Sequence, residues 1–152
     1  MDIKDRQIIR ELQIDGRLTN QELAERVNLS PSPCLRRLRN LEQSGAIQGY
    51  TALVDQKAYG LPVTVLIRIR LERHSEETIR VFEGKVAHID EILDCYLMTG
   101  DIDYLLRVIV ENLEAYEDFI RRKIHTIPGV ASIETSFAYG IVKQSRVYPW
   151  RT

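Results

Sequence analysis

Through the first fifty residues the apolar positions recur every three or four places, as Ile8, Ile9 and Leu12, then Leu23, Ala24 and Val27, then Cys34, Leu35, Leu38 and Leu41. That is the period of amphipathic helices and not of strands. The punctuation agrees. Asp15 and Gly16 stop the first helix, and the run Thr19-Asn20-Gln21-Glu22 has the spacing of a capping box at the start of the second. Asn28 suits a turn. Ser30 or Ser32 caps a third helix, with Pro31 or Pro33 in its first turn, where no helical N–H is needed, and Gly45 ends it.

Beyond Gly45 the period changes. Residues 46–55 are strand-like, and Gly60 and Pro62 then mark a boundary. Val63, Val65, Ile67, Ile69 and Leu71 alternate with Thr64, Arg68 and Arg70, predicting a half-buried strand. Ser75 caps a helix with Ile79, Phe82, Val86 and Ile89 inward. Two apolar runs around Gly100 and Asp101 predict a hairpin, and Asn112 caps another helix whose inner positions are Tyr116, Phe119, Ile120, Ile124 and Ile127. Pro128 and Gly129 precede a last strand. Strand, helix, strand, strand, helix, strand is the ferredoxin-like order, with both helices on one face of an antiparallel sheet. The chain is therefore α+β. It divides into a helix-turn-helix, winged-helix-like domain over 1–49, a strand and linker over 50–62, a βαββαβ domain over 63–143 and a tail over 144–152. A second copy is the economical cover for the other sheet face, so a homodimer is expected, with Tyr148, Pro149 and Trp150 packing across the contact.

Composition narrows the chemistry. The 152 residues carry 21 Lys and Arg against 22 Asp and Glu, a net charge of -1, so anion binding must come from local clustering. No apolar run approaches the roughly 18 to 20 residues that span a bilayer, so the chain reads as cytoplasmic with no membrane partner. Cys34 and Cys95 lack metal-ligand spacing and read as reduced packing residues; His74, His88 and His125 form no such cluster either. No nucleophile or phosphate-binding glycine motif occurs. The chain is expected not to be an enzyme and to hold no metal or cofactor. The polar face of the third helix is different. At about 100° per residue, Ser32, Arg36, Arg39, Asn40 and Gln43 lie opposite the apolar stripe, with Arg37 on the flank. Arginine can fork to guanine or phosphate, and asparagine and glutamine can pair with adenine, the chemistry of a major-groove helix. The same face also suits a solvated surface helix.

The segment Leu29–Asp55, joined to "MTGDIDYLLRV" and "IPGVASIETSF", resembles the Lrp/AsnC family of leucine-responsive, or feast/famine, transcription regulators. The resemblance spans nearly the whole chain. It implies a sequence-specific regulator that binds double-stranded, palindromic DNA and responds to an amino acid or related metabolite, as a homodimer assembling into tetramers or octamers. It places Ser32, Arg36, Arg37, Arg39 and Asn40 on the recognition helix and Gly100, Asp101, Asp103 and Tyr104 on a turn tied to effector response. A zwitterion needs a carboxylate for its ammonium, N–H groups for its carboxylate and apolar walls. Asp101 or Asp103 can be the acceptor, Gly100 allows close backbone approach, and Met98, Ile102 and Tyr104 are candidate walls. Thr135 and Ser136 on the last strand are weaker candidates. A plain hairpin turn would use the same residues. The alternative to a regulator is a metabolite-binding or structural module without sequence-specific DNA binding.

Overall fold

The computed structural model describes residues 1–150 and divides the chain into two compact units, Met1–Leu53 together with the residues from Val142 on, and Val54–Ile141. In the first unit α1 (Ile3–Ile14) begins with a capping box between Asp2 and Asp5, and α2 (Asn20–Arg26) with the one expected between Thr19 and Glu22. Each such cap offsets orphan N–H groups and stabilises its helix by about 1 kcal/mol. Asn28, at φ +52°, makes the turn into α3 (Pro31–Gln43). Ser30 is its N-cap residue without a side-chain bond, and Pro31 takes the first helical position. Ile8, Leu23, Ala24, Val27, Cys34 and Leu41 are buried together, so the helical periodicity located the core. Leu35 is the exception. Assigned to the apolar stripe, it is half-exposed and lines the outer face of α3.

The strand-like stretch over 46–55 forms no strand. Among the described residues it pairs with no strand, and an isolated strand leaves its N–H and C=O groups to water. Tyr50, Leu53 and Val54 stay more than half exposed.

The second unit has β1 (Val63–Leu71), α4 (Glu76–Val86), β2 (Ile92–Leu97), β3 (Tyr104–Val110), α5 (Leu113–Phe119) running into a single π turn (Ile120–Ile124), and β4 (Val130–Phe137). The sheet order is β2-β3-β1-β4, antiparallel throughout, as the ferredoxin-like order requires. Register sorts the side chains. Val65, Ile67 and Ile69 of β1 pair with Val108, Leu106 and Tyr104 of β3 and are buried with Phe82, Phe119 and Ile124 from the helices. Leu66, Arg68 and Arg70 face the other way, with Leu105, Arg107 and Ile109. The helices of this unit, α4 and α5, pack on the opposite face. Arg107 and Asp94 are paired on the face of Arg68 and Arg70, and Tyr96 lies 53% exposed beside Leu105.

Cys34 is buried as expected, whereas Cys95 is exposed. Cys95 pairs with Leu106 and so points to the helix side, but on β2, an edge strand, it stays exposed. In the tail the backbone of Arg146 and Tyr148 is hydrogen-bonded to the Gln13 side chain of α1, while the side chains of Tyr148 and Trp150 stay exposed. Residues 151 and 152 of the tail lie outside the described residues.

Candidate functional site

The outer face of α3 is a shallow concave patch lined by Ser32, Leu35, Arg36, Arg39, Asn40 and Gln43. Apart from Leu35 these are exposed hydrogen-bonding residues grouped by the 3.6-residue period, and the helix carries no acid in its first turn. Its start is tied to α2, since the Asn20 amide donates to the Pro31 carbonyl at 2.9 Å. Arg37, expected on the flank of this face, is turned toward α1. Its guanidinium donates to Asp2 at 2.7 Å and to Asp5 at 2.8 Å, joining α3 to the first turn of α1. Asp5 and Asp2 raise the Arg37 pKa in return. The Asp5 backbone N–H, and then Arg37, lower that of Asp2. Arg37 is thus a packing residue of the helical unit, and the exposed cations of the patch are Arg36 and Arg39.

In the second unit the turn after β2 is closed by Met98 N–H donating to the Asp103 carbonyl at 2.8 Å, with Gly100 at φ +108°, a conformation that other residues adopt only with strain. The two turn carboxylates differ sharply. Asp103 accepts from the Leu71 N–H at 2.7 Å through one oxygen and meets His74 Nε2 at 2.7 Å through the other. The Leu71 N–H first, and His74 after it, hold its carboxyl below the usual carboxylate range. Asp101 is exposed, and its carboxylate has no partner among the described residues; its carbonyl instead accepts from Arg70 Nε and a terminal guanidinium nitrogen at 2.9 and 2.5 Å.

Three expected effector residues do not gather there. Tyr104 is 2% exposed, points into the core against Phe82 and donates to Glu83 at 2.8 Å, so it is no wall of an open site. Thr135 and Ser136 are neighbours on β4 and face opposite ways. Thr135 meets the Tyr116 hydroxyl on the helix side, while Ser136 lies beside Leu66 on the open face. Leu66 is four residues along β1 from Arg70, roughly 13 Å at a strand's rise. Arg70 and His74 were absent from the expected set. Arg70 sits on the polar side of the alternating first strand, which was the available signal; His74 had none, because its partner is set by strand register.

Asp103→Ala is expected to destabilise the second unit by about 1.5–3 kcal/mol, the cost of a charge-assisted bond to a mostly buried acceptor. The sign in pH follows from the lowered pKa. The contribution is complete above the unfolded carboxylate value of about 3.9 and disappears as pH falls through the lower folded value. Denaturant unfolding should therefore separate variant from parent at pH 7 and bring them together at strongly acid pH. Equal stability at pH 7 would refute the assignment.

Known proteins were compared with the chain as a whole. A family described as Lrp/AsnC ligand binding domain matches residues 64–148, and one described as winged helix-turn-helix DNA-binding matches residues 1–48. The leucine-responsive regulatory proteins of Salmonella typhimurium and of Escherichia coli K12 are each 41% identical over 145 residues, covering 95% of this chain and 88% of theirs. Among solved structures, a transcriptional regulator from Neisseria meningitidis in complex with L-Met superposes with a TM-score of 0.93 at 36% identity, over 98% of this chain and 96% of that one. An AsnC family regulator from Agrobacterium tumefaciens gives 0.93 at 38% identity, over 98% and 97%.

Proposed function

This chain belongs to the Lrp/AsnC family of DNA-binding transcription regulators, not to a family of enzymes, and from that premise we propose how it reads DNA and effector. The recognition surface is the outer face of α3. Arg36 and Arg39 contact guanine edges or phosphates, Asn40 and Gln43 contact base edges, and Ser32 contacts the backbone at the helix start. One observation carries this reading: Ser32, Arg36, Arg39, Asn40 and Gln43, all exposed, converge on one patch of α3, while Arg37 is held by the acids Asp2 and Asp5 at the start of α1. The effector is an amino acid, as for the Neisseria relative with its L-Met. Asp101, whose carboxylate is unengaged, accepts its ammonium, the Arg70 guanidinium takes its carboxylate, and Gly100 and Met98 border it.

Assembly completes the reading. The uncovered sheet face, together with Tyr139 and Ile141, which are 108% and 63% exposed, is covered by a second copy. The two-fold dimer makes the target palindromic, and dimers assemble into tetramers or octamers. None of the helices among the described residues is long and apolar enough to cross a membrane, in keeping with action on DNA in the cytoplasm.

The test is selection of bound genomic fragments with and without a panel of amino acids, followed by titration of a selected site. Salt-dependent binding to a palindrome, shifted by one amino acid in the parent and at least tenfold less sensitively in Asp101→Ala, is the expected outcome. Salt-insensitive or absent binding to duplex DNA would favour a metabolite-binding module instead. Light scattering on residues 54–141 should give the mass of at least a dimer; a folded monomer would refute the covered-face argument.

A further inference from the structure

The C-terminal segment has no regular secondary structure over residues 142–150, yet the backbone of Arg146 and Tyr148 is bonded to α1. Gln13 on α1 accepts from the Tyr148 N–H at 3.1 Å through Oε1 and donates to the Arg146 carbonyl at 2.8 Å through Nε2. One side-chain amide thus meets a donor and an acceptor two residues apart, as a peptide group of a neighbouring strand would. Arg10, three residues earlier on α1, donates to the Tyr148 carbonyl at 3.4 Å. Between the two bonded residues Val147 is half-buried, while Tyr148 itself is 74% exposed. The contact therefore reads backbone and not side-chain identity. The ligand-binding family match runs through residue 148, whereas packing groups everything from Val142 on with the helical unit.

We propose that Arg10 and Gln13 form a backbone clamp that makes the C-terminal segment a fourth element of the DNA-binding unit, and that Gln13 is a positioning residue for DNA recognition. The route runs along α1. Its C-terminal half holds the segment, and Asp2 and Asp5 at its start hold Arg37 of α3. A helix secured at one end by the tail and at the other by Arg37 keeps α3 in one orientation, which spares DNA the ordering cost. This rests on α3 being the recognition helix, but its first readout needs no DNA.

The experiment compares three forms of the full chain: Gln13→Ala, a chain ended after Ser145, and both together. Amide hydrogen exchange along α1 should quicken about three- to tenfold in each single form, the effect of losing the two neutral Gln13 bonds, with the long Arg10 bond also lost on truncation. The combined form should be no faster than the truncated one, because both changes break the same contact. Affinity for duplex DNA should fall by a similar few-fold with an unchanged salt slope. Gln13→Glu, which keeps the acceptor for Tyr148 and loses the donor to Arg146, should fall between parent and Gln13→Ala. Unchanged exchange in Gln13→Ala, or fully additive effects, overturns the clamp. A salt slope reduced on truncation by about 0.9 for each cation removed would overturn it differently, by making the tail a DNA-contacting arm. If no form binds DNA while exchange behaves as stated, the recognition-helix reading fails and the clamp stands.

Discussion

A chain carrying Arg36→Ala and Arg39→Ala together is expected to lose nearly all specific DNA binding while remaining folded. Each bidentate arginine contact to a guanine contributes about 1–3 kcal/mol of discrimination, so each single change weakens a selected site by roughly five- to more than a hundredfold. An arginine on phosphate behaves differently, weakening all sequences alike and lowering the salt slope by about 0.9. Both side chains are exposed, and neither lines the buried core of α1, α2 and α3, so circular dichroism and unfolding midpoint should stay close to the parent's. Arg37→Ala supplies the contrast. It leaves Asp2 and Asp5 without their cation and loosens α1 from α3, so the unfolding midpoint moves while the salt slope does not. Loss of slope in Arg37→Ala, with none in the Arg36 and Arg39 variants, would reverse the assignment of the face.

That contrast marks where sequence reasoning reached its limit. Helical period alone put Ser32, Arg36, Arg39, Asn40 and Gln43 on one side, because residues three and four apart on a helix are neighbours whatever surrounds it. It left Arg37 on the flank. Only tertiary placement of Asp2 and Asp5, more than thirty residues away in sequence, decides that flank position. The turn after β2 behaved likewise: Gly100 announces a turn, but which of Asp101 and Asp103 keeps an unengaged carboxylate depends on which one the end of β1 captures, and the Leu71 N–H takes Asp103. Thr135 and Ser136, the weaker candidates, face opposite ways because successive side chains of a strand alternate, so a single chain does not bring both to one place. The stretch over 46–55 failed for a further reason. A strand pattern states what a segment can pair as, and among the described residues this one pairs with no strand. Beyond Phe119, the π turn with His125 N–H on the Ile120 carbonyl inserts a residue into the helical ladder, which the spacing of Ile120 and Ile124 does not reveal.

The second large effect is expected at Phe82. Its ring is 0% exposed and lies 4.5 Å from that of Tyr104, centroid to centroid, where α4 packs on the start of β3. Phe82→Ala removes a buried aromatic from a site walled by strands on one side, so collapse into the void is limited and the cost is about 3–5 kcal/mol. Tyr104→Phe is the control. It keeps the ring pair and removes only the hydroxyl donated to Glu83, at about 0.5–1.5 kcal/mol. Burial first, and Glu83 second, raises the Tyr104 phenol pKa, so this hydroxyl stays a donor through neutral pH and the comparison needs no pH correction. Because Tyr104 directly follows the turn of Gly100–Asp103, loosening it should blunt the effector response before the unit unfolds. The core of the helical unit, built around Ile8, Leu23 and Cys34, shares no residue with this one. In Phe82→Ala the unfolding of the second unit should therefore shift to lower denaturant, with hydrogen exchange in α1 to α3 unchanged. A Phe82→Ala cost no greater than that of Tyr104→Phe would show that this pair is not central to the core. Faster exchange in α2 and α3 would show that the two units unfold as one.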